Sequence, residues 1–144
     1  MRTPVKLSLL ALLSGMLTVQ ADAHHSYAMF DEDKCATIAG NVRKFTWAYP
    51  HMWLWVETGT GADAKPILWG FEGGDPASLA VAGWKPDTLK RGDKVTVLFN
   101  PLRDGRKGGS LRQVTFENGK TLGAQVSGSV DDKYFSTCKP AKGS

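Results

Sequence analysis

His24, His25 and His51 are the three imidazoles of this 144-residue chain, and two of them are adjacent. The pair becomes chemically distinctive in a polypeptide that begins at His24, because residue 24 then offers a free α-amine and an imidazole Nδ1 that can chelate one cation together. A second imidazole opposite completes a T-shaped set of three nitrogens, the histidine brace. Nitrogen ligands in tetragonal geometry favour Cu(II) under the usual affinity order. His51 is the better source of that second imidazole, since neighbouring side chains of an extended segment point to opposite faces and His24 and His25 share a metal only where the backbone turns. A different chelate uses the amine, the amide nitrogen of residue 25 and the His25 imidazole, leaving the His24 imidazole out. Both need the amine at residue 24 and deprotonated ligands, so binding weakens as pH falls through the imidazole range. Plainer roles stand beside these: an incidental pair at an exposed terminus, and a loop histidine after Pro50 that only makes hydrogen bonds. Met29 and Met52 would add thioethers that favour Cu(I), although methionine near a β-barrel usually fills core.

The residues before the pair provide for such a cut. Arg2 and Lys6 form a basic start, "LSLLALLSGML" from Leu7 to Leu17 is apolar, and Ala21-Asp22-Ala23 has the small-x-small form that signal peptidase accepts. Residues 1–23 read as a signal peptide and 24–144 as one mature domain, periplasmic or secreted, although a cut at Ala21 or further on also fits. The apolar stretch is too short for a transmembrane helix, which needs roughly 20 residues, and no later run approaches that length.

Without Arg2, Lys6 and Asp22 the chain keeps 16 basic and 13 acidic side chains, a balance that selects no partner. Cys35 and Cys138 are the two cysteines. An oxidising compartment favours their pairing, and in the chain-entropy model closing so long a loop stabilises by up to ~4–5 kcal/mol. Soft metal ligation is the rival role, without C-x-x-C spacing to support it. Five tryptophans, Trp47, Trp53, Trp55, Trp69 and Trp84, are too many to be fully buried in one small barrel, because each is large and its indole N–H wants a partner. Exposed ones such as Trp47 and Trp53, beside Tyr27, Tyr49 and His51, would form an aromatic rim for an apolar small molecule or a partner protein. Glu57, Glu72 and Asp75 lie near the strands without the spacing of an acid/base pair. The sequence contains no nucleophile motif, phosphate loop or nucleotide fingerprint.

These side chains must be carried by strands. "IAGNVRKFTW" alternates at Ile38, Gly40 and Val42 and then changes phase to Phe45 and Trp47, which predicts a bulged, bent strand. "MWLWVET" from Met52 to Thr58 is apolar on both faces and reads as a central strand, and "PILWGFE" from Pro66 to Glu72 alternates Ile67, Trp69 and Phe71. Asp75-Pro76 opens a short helix that stops near Gly83. "KVTVLFNP" gives a fourth strand and "LRQVTFENGKTL" a fifth, with Asn118-Gly119 predicting a type I′ hairpin into a short return strand. The fold class is all-β: an OB-like five-stranded barrel with one short helix between strands three and four. OB-folds often bind nucleic acid, so the loop "RDGRKGG", with Arg103, Arg106, Lys107 and then Arg112, is a candidate for that role. Export argues against it, and the expectation is no nucleic acid.

The segments "HHSYAMFD", "GNVRKFTWAYPH", Gly83-Trp84, "LKRGDKVTV" and "NPLRDGRKGG" together resemble a family of small exported bacterial proteins catalogued as a domain of unknown function. The resemblance implies that the His-His-Ser-aromatic start and the Pro50-His51 pair belong to the family pattern; its usual start has Phe where this chain has Tyr27. It implies no activity. The expectation from residues and resemblance together is a metal-binding protein, with copper held by His24 and His51 and with His25 auxiliary, serving metal carriage or buffering without turnover. The alternative is a metal-free periplasmic binding module that uses the aromatic rim.

Overall fold

A computed structural model describes residues 28–59 and 65–124. The signal segment, His24, His25, Tyr27 and Cys138 lie outside the described residues. Strands β1 (Ala36–Thr46), β2 (Trp53–Thr58), β3 (Ile67–Glu72), β4 (Lys94–Pro101), β5 (Gly108–Phe116) and β6 (Thr121–Gly123) surround one helix, α1 (Pro76–Val81), between β3 and β4. Antiparallel pairs join β1 to β2, β1 to β4, β2 to β3 and β4 to β5. A parallel pairing of β3 with β5 closes the ring in the order 1-2-3-5-4-1, the OB-like barrel expected, and β6 adds to the free side of β5.

The long first strand makes closure possible. Its first half pairs with β4 through Asn41, its second half with β2, and the register shifts between Val42 and Lys44. That is the bulge the phase change predicts: the extra residue, Arg43, turns the strand and restores Phe45 to the inner face. Leu54 and Val56 of β2, Phe71 of β3, Val97 and Phe99 of β4, and Leu111 and Val114 of β5 fill the interior with Val42. Leu79 of α1 joins this core, together with Trp84 and Leu89 from the segment that follows. Asp75 caps α1 by accepting from the Ser78 N–H at 3.0 Å, with Pro76 in the first turn. Trp84 then reaches inward and donates its indole N–H to the Gly123 carbonyl at 2.6 Å.

Two details differ from the sequence expectation. Strand β5 starts at Gly108 rather than Leu111, because Gly108–Ser110 form the parallel seam with β3. The β5–β6 turn is not type I′, which would need a positive φ at Asn118; none occurs there. Instead Gly119 alone has positive φ, with its N–H on the Phe116 carbonyl at 2.9 Å, the pattern of a type I turn followed by a left-handed residue.

Candidate functional site

His51 stands just before β2, after a cis Tyr49–Pro50 peptide. Its Nε2 lies 3.5 Å from Oε1 of Glu72, the last residue of β3. Register brings them together. Trp53 is opposite Glu72 across β2–β3, Glu72 is opposite Ser110 across the parallel seam, and Ser110 is opposite Asn100 across β4–β5. Alternation fixes the face: Leu54, Phe71, Leu111 and Phe99 point inward, so their neighbours Trp53, Glu72, Ser110 and Asn100 form a row on the outer wall. Outer-wall positions are usually wet, yet Glu72, Ser110 and Asn100 are 8%, 2% and 0% exposed.

The segment before β1 covers part of this row. Phe30 bridges Leu102 in antiparallel fashion, the Asp31 N–H donates to the Pro101 carbonyl at 2.8 Å, and the Arg103 N–H donates to the Met29 carbonyl at 2.9 Å. Asn100 Nδ2 donates to the Lys34 carbonyl at 2.6 Å and accepts at Oδ1 from Arg112 Nε. Asp31 also takes Lys34 at 2.8 Å and Arg103 at 3.7 Å. The hydrogen bond from Lys34 is the main cause holding the Asp31 carboxyl below the usual carboxylate range; burial opposes it, and the charges of Lys34 and Arg103 assist. A carboxylate lowered on folding stabilises fully above its unfolded value, ~3.9, and loses that contribution as pH falls through its folded value. Backbone NMR signals of residues 29–34 are therefore expected to shift and broaden below about pH 4.

Of the aromatic rim, Tyr49 is 70% and Trp53 36% exposed. Trp53 stacks on Trp55 at 5.7 Å, and Lys44 Nζ sits 5.2 Å from the Trp55 ring. Trp47 instead packs against Phe45 at 6.1 Å and belongs to the periphery of the core. A groove of about 360 Å³ along Ala39, Gly40, Lys94 and Phe116 includes none of the rim residues. The basic loop residues are engaged within the chain: Arg103 with Asp31, Arg106 with Asp104 at 2.7 Å, Lys107 over the Trp69 ring at 5.1 Å, and Arg112 with Asn100.

Among the described residues no three His, Cys, Asp or Glu side chains form a metal-holding group; His51 and Glu72 make a pair. Cys35 directly precedes β1, and its expected partner lies outside the described residues. Sequence reasoning missed Glu72 as the companion of His51. Its one signal was an acid ending an apolar strand at "WGFEGG". No described helix is long and apolar enough to cross a membrane.

A family model described as "Family of unknown function (DUF6152)" matches residues 11–112. No curated protein and no solved structure gives a significant match.

Proposed function

The chain belongs to this family of unknown function, and from that premise we propose that it is an exported copper-binding protein for carriage or buffering of the metal. The ligands are the α-amine and imidazole of His24 with the imidazole of His51, and His25 is auxiliary. The observation that supports this most is the seating of His51 on buried Glu72. Metal-ligating histidines characteristically set one ring nitrogen against a carboxylate, which fixes the tautomer and raises the basicity of the other. With Nε2 on Glu72, Nδ1, a buried atom, would be the nitrogen that takes the metal.

The copper is cargo; the chain contributes nitrogen ligands and a carboxylate that orients one of them. Pairing of Cys35 with Cys138 belongs to the same proposal, because an exported chain meets an oxidising compartment.

The test is copper titration of the protein matured in its own export pathway. Intact mass establishes whether residue 24 comes first and whether both thiols are oxidised. The expected result is one tight Cu(II), a nitrogen-rich tetragonal electron paramagnetic resonance spectrum, and quenched tryptophan fluorescence, since Trp53 lies two residues from His51. A version with one extra alanine before His24 loses this site. Equal, weak binding by both versions would reject it. The exposed Tyr49 and the Trp53–Trp55 stack favour a second reading, a metal-free module binding an apolar molecule or a partner protein, and that reading would then take precedence.

A further inference from the structure

We infer that the outer wall of β1, β2 and β3 binds a neutral sugar chain, a β-1,4-linked pyranose glycan with equatorial hydroxyls, against Trp53. This goes beyond the copper reading and stands without it. Leu54 and Val56 of β2 are in the core, so alternation puts Trp53, Trp55 and Glu57 on the outer wall. Register sets Lys44 of β1 and Gly70 of β3 on either side of Trp55. An exposed indole on a flat wall has few neighbours to hold it, but Trp53 is braced. It is 36% exposed and stacked on Trp55, with centroids 5.7 Å apart and planes 23° from parallel. Trp55 is fixed in turn: Lys44 Nζ stands 5.2 Å from its ring, and its Nε1 edge lies beside Gly70, where a Cβ would meet it at 3.4 Å. A ring held in place before its ligand arrives gives up little freedom on binding.

The flank selects the ligand. Arg43, at the β1 bulge, pairs with Glu57 at 3.9 Å, and both keep exposed side-chain surface. Arg43 and Lys44 are matched by Glu57 and Glu72, so the wall has no surplus of either sign. A nucleic acid strand would call for a positive surplus along its phosphates. A lipid or a steroid would call for a broad apolar floor, and among the described residues of this wall the exposed large apolar side chains are Trp53 and Leu68. A pyranose meets both conditions. Its ring C–H bonds form an apolar face with slightly positive hydrogens, which the negative face of an indole attracts. Its hydroxyls both donate and accept around the ring, matching ammonium and guanidinium donors set beside a carboxylate acceptor. Equatorial hydroxyls and β-1,4 linkage leave that C–H face uncovered along the chain.

The experiment uses the protein matured in its own export pathway, with a chelator present so that metal plays no part. Cellohexaose, chitohexaose and a short oligothymidylate are titrated while NMR follows the indole N–H signals of the tryptophans. Saturable movement of the Trp53 and Trp55 signals with at least one hexasaccharide is expected, with the buried Trp84 signal unmoved. Trp53→Ala should weaken that binding about tenfold, the scale of a lost aromatic stack. Trp53→Tyr should weaken it less, since a smaller ring remains, and Val81→Ala on α1 should leave it unchanged. Urea melts establish that each variant is folded, and Trp53→Tyr carries the comparison if Trp53→Ala is not. Still indole signals with both hexasaccharides, or equal affinity in wild type and the Trp53 variants, would overturn the inference. Movement with oligothymidylate alone would also overturn it and give the wall to single-stranded nucleic acid. Glycan binding by a protein that takes up no Cu(II) would keep this inference and remove the copper reading.

Discussion

Mature His51→Ala protein is expected to bind Cu(II) at least about a hundredfold more weakly than wild type, a loss of ~2.7 kcal/mol. The estimate follows from replacing a three-nitrogen set by the two nitrogens of residue 24, with the buried Glu72 carboxylate left without its imidazole. Glu72→Gln should cost less, about tenfold, since it keeps an acceptor but removes the charge that makes the imidazole a stronger ligand. The ranking is the discriminating feature. An additive surface site made by the His24–His25 start would ignore both substitutions, and equal affinity in wild type and His51→Ala would move the copper to the amine, the residue-25 amide and His25. Isothermal titration with a competing chelator at pH 7 measures all three proteins. Repeating it at falling pH should weaken wild type through the imidazole range near ~6.5, because protons then compete for the ligands.

Gly109→Ala is expected to be the most damaging single methyl group on the barrel. A Cβ at residue 109 would overlap the Asn100 carbonyl oxygen and press on the Phe99 ring, and one at Gly108 would overlap the Gly70 carbonyl. The obstacle in both cases is backbone held in a strand, which cannot swing aside. The cost should reach or pass the upper end of the ~1–3 kcal/mol usual for overpacking, a large part of the stability of a domain this size. Gly70→Ala is the control, since its Cβ would meet only the Trp55 indole, at 3.4 and 3.6 Å. Urea midpoints should show a clear drop for position 109 and little change for position 70. Equal midpoints would mean that the seam accommodates side chains.

Much of the architecture was legible because alternation and punctuation are local properties. Val42 and Phe45 announced the bulge by changing phase, Asp75-Pro76 announced α1, and Val95, Val97 and Phe99 announced β4. The seam was not legible. Gly108 and Gly109 look like loop residues beside "RDGRK", and only a partner strand 38 positions away makes them strand. The site was legible in part. His51 stood out as one of three imidazoles, but its companion Glu72 depends on how β2 and β3 align, and Asn100 was simply the polar residue near the end of the strand "KVTVLFNP". Arg112 read as surface charge because nothing in a sequence distinguishes a solvated guanidinium from one folded over an amide.

The parallel seam also governs the order in which the barrel assembles. Hairpins β1–β2, β2–β3, β4–β5 and β5–β6 join neighbours in the chain and can form early. The β1–β4 ladder is a long-range contact of six residue pairs, whereas β3–β5 has only three. Ring closure must meet the entropy of a long loop before so few contacts reward it. The seam has the fewest residue pairs of any joint in the closed ring and is expected to be the last to shut. A native barrel that breathes should open there first, parting Glu72 from Ser110 while the two β1 ladders stay intact, so that transient opening exposes the wall around His51 before it exposes the core.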